Sequence, residues 1–478
     1  MAFLAARGSA LSFGVSRLHG TFSRRIFQPL FPRWPQREVP IDHVTNGVHI
    51  PSWDSAEADR IWTQACGKER WRQMPDELYG QIAHVADGEL WALRGKGRLG
   101  VVNHARRHLA TQLRERGFGP KVVQQAQTVL DPNVLTLGFA RRFTAYKRPN
   151  LLLWDRKRLA RLLTNEQRPV QIIVAGKAHP ADLAGKAMIR EWIELARAPE
   201  FRRHVVFLED YHIGLAQELV QGVDVWINNP RRPWEACGTS GMKVLVNGGL
   251  NCSVRDGWWD EAWKPELGWA IGEIDSHLES DDKADAESLY DVLENKIVPE
   301  FYDRDKEGLP RRWLARIRES MAELTPVYSS TRMVREYVEK AYLPAAADLR
   351  RRTAENCGQA RALHERAGRI ATRWASLHVG HPALGKTGET WSVSVPVSLG
   401  ELNGADVLVQ VYADPAGEAP GSTVTLARAR AIPGAVNGFV YTGAVPASRP
   451  AGDYTVRAIA AFDGAHVPAE LPLIAWQS

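Results

Sequence analysis

The chain has 478 residues, 44% of them hydrophobic and 24% charged, and its net charge is +6. This length exceeds one ordinary core and predicts two or three folded domains. Its apolar runs are too short to span a membrane, and its basic residues are too dispersed for a nucleic-acid-binding stripe. We therefore expect neither of those partners and favour an anionic ligand.

The cysteines are too far apart to suggest a disulfide framework or a metal site. They lie at Cys66, Cys237, Cys252 and Cys357, without a CxxC pair. This pattern predicts free thiols, no bound metal and a reducing compartment, which we take to be the cytoplasm.

The first 40 residues are rich in arginine and serine and contain one acid, Glu38. This is the composition of a mitochondrial transit peptide. It also suits a basic amphipathic helix that belongs to the fold, which we favour for a reason given below. Helical periodicity is clearest over residues 90–126.

Four short apolar runs, rich in β-branched residues, then alternate with helix-like stretches. The runs are VLTLGF (134–139), VQIIVAG (170–176), VVFLED (205–210) and VDVWIN (223–228). This rhythm predicts a parallel β-sheet covered by helices. Ligands of such sheets bind beyond the carboxyl ends of the strands, so we look for chemistry there.

The remainder of the chain changes texture twice. Residues 284–346 are helical in pattern, and 350–374 form a basic helix. From His378 onward, apolar and polar residues alternate between Gly, Pro and Asn turns, which predicts an all-β module of immunoglobulin-like sandwich type. We predict an α/β domain over 41–349, a helical linker over 350–377 and a β-sandwich over 378–478. Packing, an accessory role and glycan contact all remain open for the sandwich.

Seventeen tryptophans is a high count. Four of them are close together, at Trp258, Trp259, Trp263 and Trp269. Aromatic side chains line many sugar sites, but they also fill cores, and we favour core packing for this group.

A cluster of cations follows the first predicted strand, in ARRFTAYKRP (140–149). Its members are Arg141, Arg142, Lys147 and Arg148. Like charges this close repel one another unless an anion compensates them, and arginine and lysine are the usual ligands of phosphate. The cluster therefore predicts a phosphate site, with a solvated basic loop as the alternative.

A run of small residues follows the fourth predicted strand, in NNPRRPWEACGTSGMKVLVNGGL (228–250). Glycines allow a backbone to approach a ligand closely, and a helix beginning near Thr239 would direct N–H groups at an anion. Glu235 is suited to accept hydrogen bonds from sugar hydroxyls. Lys243 ends the run. A lysine at the end of a tight, glycine-rich turn needs a partner for its amine.

These segments resemble the α-glucan phosphorylases, the family of the glycogen, starch and maltodextrin enzymes. The motifs that carry the resemblance are RRFTAYKRP (141–149), EACGTSGMKVLVNGG (235–249), HVTNGVHIPSW (43–53) and GVSRLHGTFSRR (14–25). The NNPRRP motif and the β module are typical of one bacterial branch. The resemblance implies the Rossmann-like C-terminal half of a two-domain GT-B glycosyltransferase. Residues 1–40 would then be a helical end of the N-terminal phosphorylase domain and not a transit peptide.

The resemblance also implies a cofactor, pyridoxal 5′-phosphate, held as an imine by Lys243. Arg141, Tyr211 and the backbone amides of Thr239 and Ser240 would contact the cofactor. Arg142 and Lys147 would bind the substrate phosphate. The hydroxyls of the transferred glucose would bind to Asn46, Glu235, Cys237 and Gly238.

The implied reaction is the retaining phosphorolysis of α-1,4-glucan by inorganic phosphate to α-D-glucose 1-phosphate. The family's N-terminal half, which is expected to lie outside this chain, completes the cleft, so we expect little activity from the chain alone. The implied protein partner is a second copy in a homodimer, or a complementing N-terminal polypeptide. Thr144, His212 and Cys237 depart from the common family residues, and His212 would weaken the positive field.

Two other functions fit the same residues in part. A sugar-nucleotide-dependent glycosyltransferase would also use cations and a glutamate, but it has no need of an imine-forming lysine at position 243. A non-catalytic glucan-binding remnant would bind polymer through the β module and the tryptophans, without a cofactor.

Overall fold

A computed structural model describes residues 1–72, 79–273, 281–417 and 419–478. The chain forms two compact units. The first unit comprises Met1–Phe13, Thr21–Asp42 and Glu339–Ser478, and the second comprises Gly14–Gly20 and His43–Val338.

The strands of the described ranges are numbered in chain order. They are β1 (Ser12–Gly14), β2 (Ile41–His43), β3 (Leu135–Arg142), β4 (Val170–Lys177), β5 (Val205–Leu208), β6 (Val225–Asn228), β7 (Leu250–Val254), β8 (Gly268–Ile271), β9 (His378–Val379), β10 (Ala383–Thr387), β11 (Thr390–Ser398), β12 (Val407–Ala413), β13 (Ser422–Thr425), β14 (Ala427–Ala431), β15 (Gly438–Pro446), β16 (Thr455–Ala460) and β17 (Ile474–Trp476).

The α-helices are numbered in the same way. They are α1 (Ala2–Arg7), α2 (Arg17–Phe27), α3 (Ala56–Cys66), α4 (Tyr79–Ile82), α5 (Asp87–Glu115), α6 (Pro120–Gln125), α7 (Arg156–Leu163), α8 (Leu183–Arg197), α9 (Ile213–Gly222), α10 (Ser240–Leu245), α11 (Trp259–Ala262), α12 (Asp282–Val292), α13 (Val298–Tyr302), α14 (Arg311–Val327), α15 (Ser330–Tyr337) and α16 (Leu343–Arg373). In α16 the backbone leaves the helical conformation at Ala354–Cys357.

The second unit is built on a six-stranded sheet in the order β5-β4-β3-β6-β7-β8. All of its strand pairs are parallel. This confirms the predicted parallel sheet. The strand order is that of a doubly wound Rossmann sheet, in which successive strands are added outward on one side from β3 to β5 and then on the other side from β6 to β8. The first four strands coincide with the four apolar runs in the sequence.

Strands β7 and β8 were not predicted from the sequence. All five side chains of β7 are buried, but two of them, Asn251 and Ser253, are polar and obscure its apolar pattern. Their polar atoms are satisfied inside the fold, since Asn251 donates to the Gly241 carbonyl at 3.1 Å and Ser253 accepts from Asn228 at 2.9 Å. Strand β8 is only four residues long and begins with a glycine.

Apolar side chains cover both faces of the sheet because alternate residues of each strand point to opposite faces. Phe139, Ile172 and Ile227 belong to one buried cluster, and Ile173 and Trp226 to the other. Trp258, Trp259 and Trp269 are buried in the first cluster, and Trp263 packs against it. Core packing of this tryptophan group is therefore confirmed.

The first unit contains two antiparallel sheets, in the orders β10-β11-β15-β14 and β13-β12-β16-β17, with β9 paired to β11. Their inward side chains share one apolar core, to which β11 contributes Val395 and β12 contributes Val411. This is the sandwich that the alternating sequence predicts. Near its N-terminus the chain packs on the same unit, where Arg457 donates to Glu38 at 2.9 Å.

Candidate functional site

The candidate site lies where the order of the parallel sheet reverses. Strands β3 and β6 are neighbours, so the loops that follow them leave the same edge of the sheet side by side. In doubly wound sheets the crevice between two such loops is the usual ligand site. The cation cluster and the small-residue run of the sequence therefore meet here.

Arg148 joins the two loops. Its backbone is left-handed, with φ at 44°, and its buried guanidinium donates to the carbonyls of Asn229 at 3.0 Å and Pro230 at 2.8 Å. Asp285 and Asp282 lie 2.7 and 3.1 Å from the same group. Arg148 is thus compensated by two carboxylates and holds the loops together, so it is not a free cation of the predicted cluster.

Lys147 and Glu235 form an ion pair between the two loops, in which the Lys147 amine donates to Glu235 Oε2. The side chains are only 11% and 10% exposed. Gly238 adopts φ +81°, and a Cβ there would lie 3.3 Å from Glu235 Cγ. The glycine therefore allows the chain to fold back closely over the glutamate.

Arg141 and Arg142 are adjacent in sequence but differ sharply in environment. Arg142 is exposed, whereas Arg141 is only 6% exposed. The Nε and Nη1 atoms of Arg141 are buried and donate to no group within the described ranges. Burial lowers the pKa of Arg141, while the nearby Glu235 opposes that shift. A buried guanidinium without a partner is costly, which marks this position as one prepared for an anion.

Lys243 lies in the short helix α10 and is half-buried. Its amine sits 3.8 Å from the centre of the Trp53 ring. In the part of the chain that the structure describes, no carboxylate lies within ion-pair distance of this amine. Burial lowers the pKa of Lys243. Such an amine is more readily neutral, and therefore more nucleophilic, than a solvated lysine.

Three other predicted cofactor contacts lie on neighbouring elements. Thr239 and Ser240 open helix α10, so their N–H groups belong to a first turn whose donors have no acceptor within the helix. The Ser240 hydroxyl accepts from Trp226 at 3.1 Å. Tyr211 is largely buried, which raises its pKa, and it is close enough to Arg141 for that cation to oppose the shift.

The predicted sugar contacts also come together. Cys237 is buried, and burial raises the pKa of its thiol to about 12, although the backbone of Asn46 opposes this shift by a hydrogen bond. The Asn46 carbonyl accepts from Arg332 at 3.1 Å. The Ser16 hydroxyl donates to the Ala236 carbonyl at 2.7 Å. The GVSRLHG and TNG segments therefore pack against the loop that carries Glu235.

Asp256 is a residue of this site that sequence reasoning missed. Its carboxylate accepts from the backbone N–H groups of Glu235 at 2.9 Å and Gly257 at 2.8 Å. Burial raises the pKa of Asp256 to about 7. The residue follows β7 at the same sheet edge, so recognising β7 in the sequence would have led to it.

These residues fit the cofactor that the resemblance implies. Pyridoxal 5′-phosphate requires an accessible amine and a cationic or N–H-rich place for its phosphate. Lys243 supplies an amine without a carboxylate partner, and Arg141 supplies buried donors that no group of the described residues occupies. The residue types that the cofactor requires are therefore present at this edge of the sheet.

The fold and these residues together define an α/β protein with cationic side chains gathered at the switch point of its parallel sheet. Residues 1–261 match the family described as carbohydrate phosphorylase, and residues 374–478 match the glycogen phosphorylase C-terminal domain. The chain belongs to the carbohydrate phosphorylase family, which confirms the resemblance seen in its motifs.

Individual relatives agree with this assignment. The chain is 39% identical over 477 residues to the glycogen phosphorylase of Mycobacterium bovis. That alignment covers 96% of this chain and 54% of the relative. It is 41% identical over 331 residues to the glycogen phosphorylase of Aquifex aeolicus, covering 69% and 47%. Against the maltodextrin phosphorylase of Thermococcus litoralis it is 35% identical over 416 residues, covering 86% and 48%. The chain thus spans about half the length of these curated relatives.

Two features are absent from the described ranges. No helix there combines the length and apolar character that a membrane span requires. No group of three or more His, Cys, Asp or Glu side chains is placed to hold a metal ion in those ranges.

Proposed function

We propose that this chain carries the cofactor- and phosphate-binding half of an α-glucan phosphorylase of GT-B architecture. Its substrates would be α-1,4-glucan and inorganic phosphate, and its product α-D-glucose 1-phosphate. The observation that carries the proposal is that one sheet edge holds a half-buried amine, Lys243, and a guanidinium with buried N–H groups that bond to no described residue, Arg141. A protein that binds only glucan has no use for either feature.

In this proposal Lys243 holds pyridoxal 5′-phosphate, and Arg141 and the first amides of α10 hold its phosphate. Tyr211 packs beside it. When bound, the cofactor supplies a phosphate group next to the substrate phosphate. The chain contributes the charge and the confinement that keep two anionic groups close together, which is the kind of preorganisation that provides most of a rate enhancement.

Arg142 and Lys147 bind inorganic phosphate, and Glu235, Asn46, Cys237 and Gly238 hold the hydroxyls of the terminal glucose. The phosphate donates its proton to the glycosidic oxygen as the bond from that oxygen to C1 breaks. A phosphate oxygen then bonds to C1 on the same face. The products are α-D-glucose 1-phosphate and a glucan shortened by one residue, so no pair of carboxylates is needed.

Lys147 must leave Glu235 for this to happen. The ion pair satisfies both groups in the absence of ligands, and each is assigned a different ligand in the reaction. The chain spans about half of its relatives, and we propose that turnover needs a complementing N-terminal half, from a separate polypeptide or a longer form of the chain. A homodimer is the proposed assembly. We place the protein in the cytoplasm, where its free thiols would remain reduced.

The experiment that tests the proposal is chemical trapping at Lys243. The purified full chain is incubated with pyridoxal 5′-phosphate, reduced with borohydride, digested and analysed by mass spectrometry. We expect a pyridoxyl-phosphate adduct on the peptide containing Lys243, and its loss in K243R. An unmodified Lys243 in the presence of excess cofactor would contradict the proposal and favour a glucan-binding remnant.

A further inference from the structure

An exposed aromatic side chain stands at the mouth of the candidate site. Trp234 precedes Glu235 in the chain and is 62% exposed, whereas Trp258 is buried. Its ring stacks on that of Tyr146, with 6.5 Å between the centroids and 30° between the planes. Tyr146 in turn precedes Lys147, so each member of the ion pair has an aromatic residue immediately before it in the chain.

The four side chains form a continuous row. Glu235 binds Lys147, and the Lys147 amine lies 5.0 Å from the centre of the Tyr146 ring. The Trp234 ring in turn stacks on the Tyr146 ring. Burial falls along the row, from Glu235 and Lys147, which are buried, through the partly buried Tyr146 to the exposed Trp234. The row therefore leads from the buried polar centre to solvent.

The aromatic pair is held in place by backbone bonds between its two loops. The Arg231 N–H donates to the Tyr146 carbonyl at 2.6 Å, and the Trp234 N–H donates to the Arg231 carbonyl at 2.8 Å. The Arg231 guanidinium binds both carboxylate oxygens of Asp282 at 2.7 Å. An exposed tryptophan on a fixed backbone loses little conformational freedom when a ligand binds to it.

We propose that Tyr146 and Trp234 form an aromatic platform that binds the sugar ring adjoining the one held at Glu235. The class of ligand is an α-glucan or a shorter maltooligosaccharide. Its pyranose rings present flat C–H faces that suit an aromatic surface, while Glu235 accepts hydrogen bonds from hydroxyls at the inner end. The identity of the polymer rests on the proposed function, whereas the platform rests on the row of side chains.

Titration of the full chain with maltoheptaose by isothermal calorimetry tests the platform. The variants W234F and W234L occupy similar space, but only W234F keeps a ring. We expect W234F to bind within about twofold of the unsubstituted chain, and W234L and Y146L to bind about fivefold more weakly. The matched control is W154L, because Trp154 is also exposed, at 54%, but lies outside the row. W154L should leave the affinity unchanged.

Equal affinities for W234F, W234L and W154L would overturn the platform, as would a failure of maltoheptaose to bind the unsubstituted chain. If W234L lost more affinity for adenosine than for maltoheptaose, the assignment of the platform to sugar would be overturned. The trapping experiment at Lys243 separates this result from the proposed function. Cofactor uptake without ring-dependent sugar binding removes the platform alone, and ring-dependent sugar binding without cofactor uptake removes the phosphorylase assignment alone.

Discussion

Lys147 donates a hydrogen bond to Glu235 across the two loops that leave the switch point of the parallel sheet. The proposed function assigns phosphate to the lysine and a sugar hydroxyl to the glutamate, so each ligand must displace the partner of the other group. A ligand that opens the pair from one side releases the group that the second ligand needs. Phosphate and glucan should therefore bind with positive coupling.

The substitution E235Q should strengthen phosphate binding. It removes the carboxylate that competes for Lys147 and repels the anion, and we expect about a tenfold lower Kd for inorganic phosphate. Calorimetric titration with inorganic phosphate measures the change. E191Q is the control, because Glu191 forms a surface pair with Arg156 at 3.9 Å. Unchanged or weaker phosphate binding in E235Q would show that the pair does not occupy the phosphate site.

The substitution R141M should stabilise the cofactor-free chain. It removes a buried charge that has no partner in the described residues, and we expect the free energy of unfolding to rise by about 1–2 kcal/mol. The same variant should lose the stabilisation that pyridoxal 5′-phosphate confers. Urea unfolding with and without pyridoxal 5′-phosphate measures both effects.

R148M provides the opposite case in the same loop. Loss of the Arg148 guanidinium would leave Asp285 and two backbone carbonyls without their partner. We expect the free energy of unfolding to fall by about 3 kcal/mol. If R141M proved as destabilising as R148M, Arg141 would be a structural residue and not an anion ligand.

Lys243 should react with pyridoxal phosphate at a lower pH than exposed lysines do. Only the neutral amine attacks an aldehyde, and burial lowers the pKa of Lys243, so its neutral fraction is larger at any given pH. At pH 7 we expect roughly tenfold faster modification than at the exposed Lys157. Quantitative mass spectrometry of the two peptides after timed reduction measures the rates. Equal rates at the two lysines from about pH 6 to about pH 9 would contradict the effect of burial.

Asp256 should make the chain less stable as the pH rises towards neutrality. Its folded-state pKa is raised to about 7, from a model-peptide value of 3.8. The folded state therefore holds a proton that the unfolded state has already released. This contribution to stability is complete below about pH 4 and is lost as the pH rises through about 7, at up to about 1.4 kcal/mol per pH unit.

The variant D256N isolates this contribution, because asparagine does not titrate. Urea unfolding between about pH 5 and about pH 7 should show a shallower decline in stability for D256N than for the unsubstituted chain. Parallel slopes for the two proteins would mean that Asp256 is ionised throughout this range in the folded state.

Much of the α/β unit could be predicted because its signals are local. Strands β3 to β6 are short apolar runs between helical stretches, and the cations after β3 lie within eight residues of sequence. Strand β7 could not be recognised, because Asn251 and Ser253 are buried by pairing with groups that are distant in sequence. Missing β7 also concealed Asp256, since its importance depends on the sheet edge to which β7 leads.

The residue types and their order were enough to determine the family, the presence of a parallel sheet and the set of reactive groups. These properties follow from periodicity and from motifs that are contiguous in the chain. Only the tertiary structure decided which neighbours each group has in the site. It assigned Arg148 to two carboxylates, left Arg141 without a partner among the described residues, and exposed Trp234 while burying Trp258. The physical reason is that burial and pairing depend on which strands become neighbours, and Lys147 and Glu235, 88 residues apart, meet only because β6 lies beside β3.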